Sequence, residues 1–161
     1  MTTVVLDRNF ALRYPEIFSA YEELAFARLV HLSEYYPNFS KWYSEKVRPG
    51  LIGGERKILL RYVGKNLGGI AILKDSKTEK KLCCLRVMPA YQGSGMGVRL
   101  FEDSFRRLET ERPLLSICEE QSERFAKVFD HFGFELTRKY ENYYRLNKSE
   151  LSFNGLIDSE T

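Results

Sequence analysis

The chain has 161 residues, 43% hydrophobic and 29% charged, with a formal charge of +3, which suits one soluble domain with a sizeable core. That small charge is interspersed along the chain, which argues against the clustered basic face of a nucleic-acid binder. Cys83, Cys84 and Cys118 fit neither a disulfide framework nor a metal-ligand spacing, and no apolar run approaches the roughly 20 residues that span a bilayer.

The opening residues, MTTVVLDRNF, lack a basic segment followed by an apolar run, so the expectation is a reduced, cytoplasmic protein without a signal peptide. Thr3 to Leu6 reads as a short strand. From Tyr14 to Tyr36, Ile17, Tyr21, Leu24, Ala25, Leu29 and Leu32 recur at helical spacing, with Pro15 near the start and Pro37 as the stop. Asn38 or Ser40 can cap a second, shorter helix that runs through Val47 and ends at Pro49-Gly50. ERKILLRYV (55–63) and LGGIAILKD (67–75) read as strands of a hairpin, and KKLCCLRVM (80–88) as a third strand. Val98, Phe101, Phe105 and Leu108 then share a helical face, ended by Pro113. Residues 113–120 read as a buried strand and 122–132 as an amphipathic helix closed by Gly133. Residues 134–147 contain two strands or a long hairpin. The domain is expected to span 1–147, and the polar tail, 148–161, to be loosely ordered.

The stretch VMPAYQGSGMGVRLF (87–101) lies between a strand pattern and a helical one, with glycines at 93, 95 and 97. A helix opening near Gly97 leaves its first N–H groups unpaired and carries partial positive charge, so an anion can bind there without a basic side chain. Glycines let a phosphate approach the backbone and allow φ > 0. The alternative is a turn in which glycine serves geometry alone. Nucleotide loops fail on spacing: no Lys-Ser/Thr ends the run, and position 98 is Val.

The full string, Val87-x-Pro89-x-x-Gln92-Gly93-x-Gly95-x-Gly97, resembles the acyl-CoA pyrophosphate loop of the GNAT superfamily of N-acetyltransferases. The element order is similar across residues 3–147, as is the helix ending in Phe132-Gly133-Phe134. The resemblance implies a single α/β domain of order β-α-α-β-β-β-α-β-α-β-β. Its mixed, mostly antiparallel sheet is flanked by helices, and splayed strands form the acyl-CoA cleft. It implies acetyl-CoA as co-substrate, no metal and an amine acceptor. Pyrophosphate contacts fall on Gln92, Gly93, Gly95, Met96, Gly97 and Val98. Main-chain contacts to the pantetheine arm fall on Leu85, Arg86 and Val87. Arg99, Arg124 and Lys127 either meet the 3′-phosphate or are solvated.

An acetyl thioester is already activated, so the chemistry needs a neutral amine near the carbonyl, a donor on the carbonyl oxygen such as the Val87 N–H, and proton transfers. Here the chain departs from the family. The position where many members carry an acidic tyrosine is Phe129, and the asparagine seven residues earlier is Ser122. Tyr140, Tyr143 and Tyr144 are the remaining candidates for the acid, and Tyr143 is chosen. Candidate bases are Glu79, at the head of the strand leading into the loop, and Glu119 or Glu120, expected at the end of the next strand where at most one faces the acceptor. The aromatic cluster Tyr35, Tyr36, Phe39, Trp42 and Tyr43 is either an acceptor wall or ordinary packing. Acceptor identity and a homodimer are both open. A non-catalytic acyl-CoA-binding or regulatory module is the alternative to an N-acetyltransferase, and Phe129 is the residue that keeps it in view.

Overall fold

Residues 1–157 are described by a computed structural model in which seven strands form two sheets. The first is antiparallel, in the order β1 (Thr2–Leu6), β2 (Arg56–Val63), β3 (Asn66–Asp75) and β4 (Lys80–Val87). The second places β7 (Ser149–Phe153) between β5 (Leu115–Cys118) and β6 (Leu136–Glu141). The sheets meet at one parallel bridge, Lys81 with Leu114. There the Leu82 N–H donates to the Leu114 carbonyl and the Leu114 N–H to the Lys80 carbonyl, both at 2.9 Å. Beyond the bridge β4 and β5 diverge, as expected for a cleft of splayed strands.

Alternation explains the two-sided core. In β3, Ile70 and Ile72 face one side while Ala71 and Leu73 face the other, and β2 divides Ile58 and Leu60 from Leu59 in the same way. The helices α1 (Arg8–Arg13), α2 (Pro15–Leu29), α3 (Phe39–Trp42) and α4 (Arg48–Gly53) pack on the first side, with a π turn at Tyr43–Val47. On the other side lie α5 (Met96–Leu108) and α6 (Ser122–Phe132). In β4 the register jumps from Leu73–Leu82 to Ile72–Cys84, so Cys83 is an extra, bulged residue. The bulge sets Cys83 and Cys84 against the first layer together, and Leu85 and Val87 then face α5.

Four expectations change. The shorter helix expected to end at Pro49-Gly50 runs on through the π turn into α4, because Pro49 sits in the first turn of α4, where its missing N–H costs nothing. The single helix expected over 14–36 is α2 followed by a 3₁₀ turn at Val30–Glu34, and a separate α1 precedes it. Asp7 caps α1 by accepting from the Phe10 N–H at 2.9 Å, and Pro15 restarts the chain as α2. The second strand expected within 134–147 lies further on. Asn142 and Asn147 adopt left-handed backbone, and the Asn147 N–H donates to Asn142 Oδ1 at 2.6 Å, which builds a turn where a strand was expected. The chain from Lys148, expected to be loose, instead supplies β7. Leu151 and Phe153 sit in the core, and Glu150 and Ser152 are buried beside them. Residues 158–161 of that expected tail lie outside the described residues.

The seat of α5 depends on Gly68 and Gly69 in β3. A Cβ on Gly69 would lie 2.4 Å from Leu100 Cδ1 and 3.2 Å from its Cγ; one on Gly68 would meet the tip of Met96 at 2.7 Å. Leu100 is held in the core, whereas a methionine end group can swing aside. Gly69→Ala is therefore expected to lower stability by about 1–3 kcal/mol through overpacking, and Gly68→Ala by less. Urea titration of the two variants checks the order.

Candidate active site

The loop after β4 joins the strand to the start of α5. The Met88 N–H donates to the Gly68 carbonyl at 2.9 Å. Because strand peptides alternate between edges, Arg86 also turns its main chain to β3, while Leu85 and Val87 turn theirs toward the gap. The Arg86 guanidinium leaves the gap as well and donates to the Arg28 carbonyl on the first-layer side.

Past a single 3₁₀ turn at Pro89–Tyr91, Gly93 and Gly95 take φ of +75° and +83°. The helix ladder starts with the Arg99 N–H on the Gly95 carbonyl at 3.2 Å, so the N–H groups of Met96, Gly97 and Val98 emerge at the bare end of α5. No side chain caps that end. Gln92 is exposed beside it, and the Arg99 guanidinium reaches the Ser94 carbonyl at 3.4 Å. The loop therefore presents main-chain donors and partial positive charge next to an open strand edge.

The proposed carboxylates are distributed differently from the expectation. β5 stops at Cys118, and Glu119 and Glu120 lie in an exposed 3₁₀ turn leading into α6. Glu119 is 3.1 Å from Lys139 Nζ. Glu120 pairs with Arg145 and lies 3.7 Å from Lys148, and the Arg145 hydrogen bond holds its carboxyl below the usual range. Glu79 is bonded to Lys74 at 2.9 Å and lines a groove of about 430 Å³ with Glu45, Pro49, Arg56 and Lys74.

The carboxylate at the divergence of the sheets is one that sequence reasoning missed. Glu150, on β7, is 2% exposed. Its Oε2 accepts from Ser116 Oγ of β5 at 2.8 Å and from the Tyr36 hydroxyl at 3.2 Å. Burial pushes its pKa up to about 7, opposed by these two hydrogen bonds and by the charges of Lys81 and Arg145. A cavity of about 10 Å³ adjoins it, lined by Tyr35, Cys118, Tyr144 and Arg145. The only signal in the sequence was an acid alternating with Leu151 and Phe153 in SELSF, which a strand assignment would have turned to the face opposite the apolar core, where Ser116 and Tyr36 then cover it.

A row of tyrosines borders this cluster. Tyr143 lies between Tyr140 and Tyr144, at centroid distances of 5.2 and 4.6 Å, and Tyr144 meets Tyr36 edge-on at 5.1 Å. Burial first, then the charge of Glu150, raises the Tyr144 phenol, so it stays protonated. The aromatic cluster at 35–43 divides: Phe39 and Tyr43 pack with Phe26 in the core, Trp42 lies under Arg56, and Tyr35 and Tyr36 turn toward Glu150. Phe129 lies in the aromatic core, at 4.4 Å from Phe153 and 5.5 Å from Phe134. A hydroxyl added there would enter apolar packing. Burial raises the thiols of Cys84 and Cys118, and Cys83 Sγ takes a 3.2 Å hydrogen bond from Arg56.

Residues 30–145 match the acetyltransferase (GNAT) domain, well over half of the chain. The chain belongs to the GNAT family of acetyltransferases. No protein of curated function matches it by sequence. Among solved structures it is similar to a GNAT-family protein of Desulfovibrio desulfuricans, with 14% identity over 94% of this chain and 97% of that one, at a TM-score of 0.61. It is also similar to a Bacillus subtilis acetyltransferase in complex with CoA, with 12% identity over 70% and 85% of the chains, at a TM-score of 0.55. The ribosomal-protein-S18-alanine N-acetyltransferase of Escherichia coli shares 21% identity over 61% and 65%, at 0.51. At these identities the likeness is one of fold. No helix among the described residues is long and apolar enough to cross a membrane.

Glu150 ties stability to pH. Its folded pKa lies above its ordinary value of 4.5, so the folded state holds a proton that the unfolded state has released between about 4.5 and 7. Stability from this group is present below 4.5 and is lost as pH rises to 7, by about 3 kcal/mol at roughly 1.4 kcal/mol per unit. Denaturant titrations at pH 4.5 and 7.5 should show wild type losing that much more than Glu150→Gln.

Proposed function

We propose that this protein transfers an acetyl group from acetyl-CoA to a primary amine by direct attack. The observation that carries the reading is the open edge of β4 at Leu85 and Val87, running into the uncapped start of α5. An extended amide chain such as pantetheine can add to that edge as a strand would. Its pyrophosphate would then meet the N–H groups of Gly93, Gly95, Met96, Gly97 and Val98, with the Gln92 side chain alongside. Arg86 spends its main chain on β3, so in this reading it aligns the edge without bonding the arm.

The same alignment brings the thioester carbonyl to the Val87 N–H, a fixed dipole for the oxygen as it gains charge. Phe129 supplies no proton. Tyr144 rather than Tyr143 is the candidate to carry a proton to the sulfur, because Tyr144 lines the cavity beside Glu150. A binding-only module would share the loop. It would have no need of a buried carboxylate with phenols set against it beside the gap, and this favours the enzyme.

The reading is tested by CoA release from acetyl-CoA with benzylamine, tyramine, spermidine and a peptide with a free amino terminus. Amine-dependent release, with the acetylated amine seen by mass spectrometry, supports it. Release with none of them counts for the binding module. Gly97→Asp sets a carboxylate at the helix end against the pyrophosphate and should cost about 2–4 kcal/mol of CoA affinity at an effective dielectric near 20. Calorimetry on the folded variant reads the loss, and unchanged affinity would remove the phosphate assignment.

A further inference from the structure

We infer that Glu150 is the terminal proton acceptor of the transfer and that the Tyr36 hydroxyl relays the proton to it. The inference rests on the reading above. It assigns the proton to a strand outside the loop and its neighbours.

Geometry separates Glu150 from the other acids. Glu119, Glu120 and Glu79 each face a cation at ion-pair distance, and the first two lie on the exposed turn before α6. For Glu120 the Arg145 hydrogen bond holds the carboxyl low, which makes it a weak base. Glu150 has no side-chain partner of opposite charge among the described ion pairs; its oxygens are taken by two hydroxyls, Ser116 and Tyr36. It stands where the two sheets part, since β7 aligns it with Cys118, the last residue of β5.

The groups facing Glu150 come from every element around it. They are Tyr36 from the segment after α2, Lys81 from β4, Ser116 and Cys118 from β5, Tyr140 as the cross-strand neighbour from β6, and Tyr144 and Arg145 from the turn before β7. Glu120 reaches this cluster through Arg145. Burial outweighs the cations and hydroxyls, and the carboxyl titrates near neutrality, the range in which a base both accepts and releases a proton.

The steps balance. The acceptor ammonium gives one proton to the Tyr36 oxygen as the Tyr36 proton passes to the Glu150 carboxylate. The freed lone pair forms the C–N bond at the thioester carbon. The C–S bond breaks with its electrons on sulfur, and the second nitrogen proton passes by way of the Tyr144 hydroxyl, which gives one proton and takes another, to the departing thiolate. One proton remains on Glu150 and is lost to water.

The test takes whichever of the four amines above wild type acetylates fastest. Wild-type kcat/KM should rise through a limb near pH 7. In Glu150→Gln that limb should vanish and the rate at pH 8 should fall about 10²-fold, with CoA affinity unchanged. Tyr36→Phe removes a hydrogen bond that stabilises the ionised carboxylate, so its limb should move to higher pH, a shift that loss of packing alone would not produce. This variant also carries the test if Glu150→Gln fails to fold. A full rate in Glu150→Gln, a limb that survives it, or an unmoved limb in Tyr36→Phe overturns the assignment and leaves the transfer reading intact. Absence of amine-dependent release in wild type overturns both.

Discussion

The rest of this molecule depends on where β4 and β5 stop bonding. One parallel bridge, Lys81 to Leu114, joins the two sheets. Had the ladder continued, the main-chain groups of Leu85 and Val87 would have been consumed, and the chain would be one continuous sheet without a slot. The bulge at Cys83 lies two residues past the bridge, and it adds the local twist that carries the strands apart. A free strand edge is a hazard in a soluble protein because it invites pairing with another chain. Here the edge lies between two layers, where a ligand with its own amides can satisfy it.

The divergence also exposes a seam that apolar residues could not fill without closing the cleft. Polar side chains occupy it instead. Lys81 at the bridge, Ser116 on β5 and Glu150 on β7 are drawn together from three strands, with Tyr36 reaching in from the helical layer. Burying a carboxylate against hydroxyls costs stability relative to an apolar seam. The same burial moves Glu150 into the range where it can exchange a proton at neutral pH. If Glu150 takes the proton as proposed, stability and proton transfer draw on one carboxylate and oppose each other across the same pH interval.

Much of the fold was legible because the strong signals are local. Ile58-Leu59-Leu60 in β2 and IAIL in β3 are buried on both faces, and the three glycines with Pro89 mark the strand-to-helix turn. What escaped was non-local. Residues 149–153 look polar because Glu150 and Ser152 face a seam that exists only when β7 inserts between β5 and β6. Glu119 and Glu120 looked like strand-end acids because nothing in residues 113–120 marks Cys118 as the last paired position. Their partners Lys139, Arg145 and Lys148 come from the distant β6–β7 hairpin. Tyr35 and Tyr36 could not be told from Phe39 and Tyr43 by spacing, since all four sit in one aromatic stretch and only the packing divides them.

Phe129 shows how the chemistry can move without changing the fold. Its ring is a hub of the second core, stacked with Phe125 and Phe134 and close to Phe153. A phenol there would bury a hydroxyl among phenylalanines with no hydroxyl-bearing ring near enough to receive it, at a cost of about 1–3 kcal/mol. In the proposed reading the polar work lies across the sheet, on the turn that carries Tyr143, Tyr144 and Arg145 and on the strand that follows it. That turn is held by Asn142 and Asn147 in left-handed backbone, and it brings Tyr144 against Tyr36 at the gap. An aromatic core on one face of the sheet and a phenol-lined polar seam on the other are therefore two consequences of the same strand insertion.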